Sequence, residues 1–458
     1  MIAMNKANKF KEILFKKRLP RPIFYVGLIV AMSVITTDNF SRWFSNISTN
    51  SHSINAVKID DYIEKDYIEK TKSIFKTGLA VNESNHQTAK EVIQMMDSLI
   101  IKDPLNAIAY SYRARAKNVL EETEGAIADA SQSIIIQPNF SGYYARGFAY
   151  NKISNYSKSI YDLNKAIEIN PNSYNAYGLR ALVREELKDY EGAIDDLTKL
   201  IEINPNEQFS YLSRGRILGF IRRYHEAIDD FSTVIAINPE YWFPYSARGI
   251  AKNSLEDYSS AIVDFSTAIS LNPDATYSYI YRGKTKIHLE MYEEAISDYD
   301  KAIEIDPYSS ESYFYRGWIK GILKDYSGAI SDYNQAIEID PKFYKLYANR
   351  GWSKMQLKDY EGALTDYNKS IELDSINKSP SGIFNDTCFI NNELRNYSQA
   401  IKDCTRSIQI DPKSYLPYSN RAISRKNIGD MNGACEDLKK AFDLGDIESS
   451  KTWRKDCN

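Results

Sequence analysis

Histidine and cysteine are scarce in this chain, at four residues each among 458. Four scattered histidines give little material for a metal cluster: His52 and His86 lie before the regular part of the chain, and His225 and His288 stand singly. No Cys-x-x-C occurs, which argues against a zinc ribbon or a dithiol redox motif. No glycine-rich phosphate loop and no nucleophile–base set appear, so neither an enzyme nor a cofactor is expected. Excess charge is absent too. Fifty-eight basic residues face 61 acidic ones, a net of −3, so nucleic-acid binding driven by phosphate neutralisation is not expected. A small-molecule substrate has no visible site either.

Long apolar runs are lacking except at the start. Residues 1–22 carry Lys6, Lys9, Lys11, Lys16, Lys17, Arg18 and Arg21 against the single acid Glu12. An uncharged apolar run from Pro22 to Thr37 follows. A basic flank before an apolar run reads as an export signal or a membrane anchor, with the basic end cytoplasmic. Sixteen helical residues span about 24 Å, short for a hydrocarbon core of about 30 Å. Val34–Thr37 is too bulky to resemble a cleavage site. The expectation is an uncleaved single-pass anchor formed by residues 23–37, with a cleaved signal as the alternative. Either places the rest of the chain on the non-cytoplasmic side, and a soluble chain with a misleading start is the third possibility. Residues 38–72 read as a polar linker with an exposed helical lead-in, where Asp61–Lys65 is repeated as Asp66–Lys70.

What is abundant is tyrosine, 35 residues, most of it at fixed places in a repeat. Prolines at 104, 138, 171, 205, 239, 273, 307, 341 and 412 mark unit ends. Their spacing is 34 residues, with one step of 33 after Pro138 and an insertion of three in Ser375–Phe384, where Ser379–Gly382 makes a loop. Each unit reads as two helices of 13 or 14 residues separated by a short turn such as Lys324-Asp325-Tyr326. Proline suits the end of the second helix, because it cannot continue one. Small residues recur at three places, as in Gly317, Ala329 and Ala336, and let helix axes approach. Neither helix buries its apolar stripe alone, so the units stack. This gives ten units over 105–446, a degenerate capping unit at 73–104 in which Val92 and Leu99 take the small-residue places, and a capping helix in 447–458.

The aromatic, Gly, Ala, aromatic, Ala, Pro pattern on a 34-residue helix–turn–helix resembles the tetratricopeptide repeat, over about 340 residues. The resemblance implies an all-α fold, a right-handed superhelical solenoid whose concave face is built from first helices. It also implies a scaffold for protein–protein interaction without catalysis. Where the family usually has Leu before the Gly, this chain has Arg, at 113, 146, 180, 214, 248, 282, 316, 350 and 421. Sixteen residues after each stands an Asp, at 129, 162, 196, 230, 264, 298, 332, 366 and 437. The midpoint of each pair falls in the inter-helix turn, so the two should meet across it, as internal scaffolding more readily than as an anion-binding ladder. One unit keeps Asp403 but has Thr387 in place of Arg.

Counting four, seven, eleven and fourteen after each Pro gives a stripe expected to line the concave face. It holds Phe209, Leu212, Arg216, Phe243, Ser246, Ile250, Tyr277, Ile280, Lys284, Ile287, Phe314, Trp318, Trp352 and Met355 in the middle units. Earlier units place Ser111, Asn118, Asn175, Gly178 and Glu185 there, a more polar set. The aromatic part of the stripe, within 209–355, is the expected groove for an extended or helical protein partner; the plainer reading is packing between neighbouring helices. The carboxylate clamp of some tetratricopeptide domains needs Lys and Asn on this face, and only Lys345 and scattered Asn qualify. Alternatives to a partner-binding scaffold are a cell-wall or glycan-associated structural protein and an accessory subunit of an enzyme complex.

All four cysteines come late. Cys388 and Cys404 are symmetric about an inter-helix turn, and Cys435 and Cys457 about Asp446, so each pair is placed to meet. Free buried thiols are the plainer reading. Export would make two disulfides reasonable.

Overall fold

A computed structural model describes residues 83–374 and 381–457. The basic N-terminus, the apolar run at 22–37, the linker at 38–72 and residues 375–380 of the insertion lie outside the described residues, while Ser381 and Gly382, expected in its loop, are already helical. The described residues form 22 α-helices in two compact units that divide after Ile237. No helix among them is long and apolar enough to cross a membrane.

The first unit holds α1 (Glu83–Lys102), α2 (Ala107–Val119), α3 (Thr123–Ile136), α4 (Phe140–Lys152), α5 (Tyr156–Ile169), α6 (Tyr174–Glu186), α7 (Tyr190–Ile203), α8 (Gln208–Phe220) and α9 (Tyr224–Ile237). The second holds α10 (Trp242–Ser254), α11 (Tyr258–Leu271), α12 (Thr276–His288), α13 (Tyr292–Ile305), α14 (Ser310–Ile322), α15 (Tyr326–Ile339), α16 (Tyr344–Gln356) and α17 (Tyr360–Leu373). It continues with α18 (Ser381–Glu393), α19 (Tyr397–Ile410), α20 (Leu416–Asn427), α21 (Met431–Asp443) and α22 (Ile447–Asp456). Even-numbered helices from α2 to α20 are first helices of a repeat and their odd-numbered partners second helices. Each pair packs together. Within each unit, a second helix also packs on the next first helix, and consecutive first helices such as α2 and α4 or α18 and α20 touch.

The turn inside a repeat shows why the helices lie antiparallel. In the repeat at 308–341, α14 ends at Ile322 and Lys324 takes a left-handed conformation, φ 66°. The Asp325 amide then donates back to the Lys320 carbonyl at 2.8 Å, closing the first helix with a Schellman-type bond. Asp325 also starts α15, its carboxylate accepting from the Gly328 amide at 2.9 Å. Three residues therefore stop one helix and cap the next. The left-handed position is non-glycine in nine turns, from Glu121 to Arg395, at a cost of about 1 kcal/mol each.

The small positions set the helix separation. A Cβ placed on Gly249 would lie 2.8 Å from one ring carbon of Phe265 and 3.0 Å from two more, and Phe265 is fully buried. Alanines such as Ala329 and Ala336 are equally closed in, and Tyr299, Tyr333 and Tyr367 fill the space between helices as the largest fully buried side chains. This is how neighbouring repeats bury what one pair cannot.

All nine Arg–Asp pairs form, at 2.6 to 2.8 Å. The Asp side chains are nearly inaccessible and each Arg is pinned by more than its Asp. Its guanidinium lies over the Tyr ring three residues earlier, 5.3 to 5.9 Å from the centroid. Within each unit its remaining nitrogen reaches back to the preceding helix, as in Arg316 to Asp300 at 2.6 Å and Arg350 to Asn334 at 2.7 Å. A second cation one turn after the Arg closes on the same Asp in seven repeats, as Lys320 does on Asp332 at 2.9 Å. With its donors engaged, this ladder is scaffold. It joins the two helices of a repeat and, within each unit, ties a repeat to the one before.

Candidate partner-binding groove

The first helices turn one face away from their repeats. The residue two after each Arg lies on that face. In the first unit it is Arg115, Phe148, Leu182 and Arg216, and in the second Ile250, Lys284, Trp318 and Trp352. Counting from Thr387 and Arg421 adds Phe389 and Ile423. In the first unit Arg216 is tied down by a bidentate pair to Glu185, both bonds 2.6 Å, while Phe209 is half-buried. Leu212 is only 8% exposed and belongs to the core.

The second unit is richer in rings. Phe243 is half-buried, set edge-on to Trp242 at 5.7 Å, and Ile250 and Tyr277 are likewise half-buried. Ile280 is 3% exposed, in a cluster with Tyr279, Ala295 and Tyr299, and so cannot meet a partner in this state. Phe314 packs into a cluster with Tyr333 and Phe343, Trp318 against the Ile280 cluster, and Met355 against that of Tyr367. Position seven thus faces the neighbouring repeat, and position eight takes its place on the open side. The stripe read from the sequence missed Tyr281 and Tyr315 for this reason.

Those two tyrosines sandwich a charge. The Lys284 ammonium sits 4.6 Å from the Tyr281 ring centroid and 5.0 Å from that of Tyr315, and pairs with Glu311 at 2.6 Å. Burial works to lower its pKa, but Glu311, Tyr315 and Tyr281 together hold it above the usual lysine value. Burial also pushes the Tyr281 phenol up. Lys284 is therefore a fixed cation, not a proton donor at neutral pH.

Beyond Lys284 the face opens. Trp352 is 37% exposed, edge-on to Tyr326 at 5.6 Å, with its ring over Gly321, where a Cβ would stand 3.3 Å from it. Phe389 is 37% exposed, edge-on to Tyr360 at 6.4 Å, and Ile423 is 50% exposed. Trp352, Phe389 and Ile423 occupy one register position on α16, α18 and α20. Phe389 was absent from the expected groove because the proline mark is missing at Ser375, and counting from Thr387 finds it; Ile423 stands eleven after Pro412, in a unit beyond those read as the groove.

The repeat carrying Phe389 is chemically irregular. Thr387 stands where Arg belongs, and Asp403 is met only by neutral donors, Asn391 at 2.9 Å and Gln399 at 2.7 Å. Burial raises its pKa despite those bonds. Cys388 takes the place of the close-packed Gly and Cys404 that of the buried Tyr, and the two are joined with Cα atoms 5.3 Å apart. Cys435 and Cys457 are joined as well, Cα atoms 5.7 Å apart, tying the end of α22 to α21. No group of His, Cys, Asp and Glu able to hold a metal ion occurs among the described residues.

The described chain is thus an all-α repeat solenoid, a scaffold of stacked helix pairs. The tetratricopeptide repeat matches at residues 140–173, 174–207, 277–309, 310–343 and 344–377, and these stretches are tetratricopeptide repeats. Among solved structures it is similar to YrrB, described as a tetratricopeptide-repeat protein with an unusual peptide-binding site, at 20% identity over 39% of this chain and 93% of that one, TM-score 0.35. It is also similar to a tetratricopeptide-repeat protein from Parabacteroides merdae, at 15% identity over 55% of this chain and 99% of that one, TM-score 0.40. A third is PilF of Pseudomonas aeruginosa, at 19% identity over 44% and 92%, TM-score 0.38. No curated protein matches the chain in sequence.

Proposed function

We propose that this protein is a non-catalytic scaffold that holds an extended or helical segment of a partner protein along the first-helix face of its second unit. The observation that carries the reading is the row of Trp352, Phe389 and Ile423, three large apolar side chains left open at one register position of consecutive first helices. Exposed apolar side chains in a continuous row mark interaction surfaces, and aromatic anchors dominate the energy of such surfaces. Phe243, Ile250, Tyr277, Lys284, Phe314, Trp318 and Met355 form the half-buried floor beside that row. A photo-crosslinking residue at position 352 or 423 of the full chain is expected to capture a partner segment, while one at the exposed Glu338 of α15 captures none. Equal labelling from all three positions would count against the groove.

Anchoring at a membrane through residues 22–37, with the repeats on the non-cytoplasmic side, belongs to the same proposal. The basic-then-apolar start supports it, as do two disulfides, which persist in oxidising compartments. A topology reporter fused after residue 60 is expected to be active outside the cytoplasm. Activity confined to the cytoplasm overturns the anchoring reading.

A further inference from the structure

Helix α18 differs from its neighbours in charge. Every other first helix carries at least two basic residues; α18 carries none, and holds Asp386 and Glu393. Asp386, Phe389 and Glu393 are three and four residues apart, so they share one face of the helix. Asp386 is half-buried, and its carboxylate accepts the Tyr367 hydroxyl at 2.9 Å. Asn385 adds a second neutral donor. No Lys, Arg or His pairs with Asp386 among the described residues. Burial outweighs both hydrogen bonds and raises its pKa, the mark of a carboxylate short of positive partners.

Its surroundings suit a cation. The equivalent positions on α16 and α20 are the neutral Asn349 and Asn420, and Lys426 on α20 is already paired with Asp456. Glu393, two turns further along the same face, is hydrogen-bonded to the Tyr360 hydroxyl. Phe389 lies one turn from Asp386, and Trp352 offers a second ring at the same register on the preceding first helix.

We propose that this stretch of the groove is a cation subsite, receiving an Arg or Lys side chain of the bound segment with its charge on Asp386 and its stem or guanidinium plane against Phe389 and Trp352. The inference rests on the groove reading and names the partner's chemistry: an apolar segment with a basic residue in register with α18. Pairing would give Asp386 the positive neighbour it lacks, and a cation over aromatic faces gains further when desolvated. Arg fits better than Lys, because its planar, weakly hydrated guanidinium both stacks and pairs.

The test uses the full chain and fluorescein-labelled nonapeptide pools with random apolar flanks and a fixed central Arg, Lys, Gln or Glu, read by anisotropy. The Arg pool is expected to bind roughly tenfold tighter than the Gln pool, the order of one charge-assisted hydrogen bond, and the Glu pool weakest. Asp386→Asn should bring the Arg pool to the Gln level and leave the Gln pool unchanged. Equal binding of Arg and Gln pools overturns the cation subsite and leaves the groove intact. Failure of all four pools, with crosslinking at position 352 unaffected by Phe389→Ser, overturns both.

Discussion

Asp332→Ala is expected to cost about 3 kcal/mol, the lower end of the range for removing one partner of a buried ion pair. The Asp332 side chain is 4% exposed and neutralises two cations, Arg316 at 2.6 Å and Lys320 at 2.9 Å. Without it, both positive groups face each other in a region that packing has closed. Lys320 and Arg316 are about a fifth exposed and can lean toward water. This relief keeps the cost at the lower end. The pair is not a net source of stability in the same measure, because both charges lost their water on folding. The double substitution Arg316→Met with Asp332→Leu should therefore lose less than Asp332→Ala alone. Urea unfolding followed by hydrogen exchange on α14 and α15 reads both effects, and exchange locates them, since a repeat array need not unfold in one step. A double variant worse than the single one would show that the pair contributes more than the register it fixes.

The same network shows what a sequence of this kind makes legible. Nine Arg residues sixteen before nine Asp residues are visible without a structure, because a helix pair with a three-residue turn puts equidistant residues opposite each other. The third partner was visible too, had the count been extended: a Lys or Arg recurs one turn after the Arg in seven repeats. Within each unit, the backward bond of an Arg to the preceding repeat was harder to see, since its acceptors vary among Asp97, Ser131, Asn164, Thr198 and Asn334. Chemically unlike residues give no repeating letter even when they do the same thing.

The groove was legible only in part, for a different reason. Period tells which residues are equivalent, not how far each first helix is rotated against its neighbours. Leu212 and Ile280 are apolar and in the right stripe, yet rotation carries them into the core. The same rotation brings Tyr281 and Tyr315 to the open side. Phe389 and Asp386 were hidden by the lost Arg and the insertion, which break the register where the charge pattern also changes.

Reduction of the two disulfides is expected to weaken the last five helices, by about 3 kcal/mol for each bridge, the scale of closing a loop of some 15 residues. The bridges close 16 and 22 residues. The Cys388–Cys404 bridge matters most where it stands, because its repeat has lost the other device that joins the two helices. Arg is replaced by Thr387, Asp403 keeps only neutral donors, and the Gly–Tyr contact of the neighbouring repeats has become the bridge itself. Hydrogen exchange with and without a phosphine reductant should show faster exchange in α18–α22 and little change in α10–α16, since repeats interact with their nearest neighbours. Cys388→Ser with Cys404→Ser, which leaves the Cys435–Cys457 bridge in place, should reproduce the faster exchange in α18 and α19. Restoring the neighbours' solution with Thr387→Arg, Cys388→Gly and Cys404→Tyr should recover much of the loss without any bridge in that repeat. Reduced protein that exchanges like the oxidised form in α18 and α19 would mean that the remaining packing of Ile383 and Ile390 with Ala363 and Tyr367 suffices to hold them.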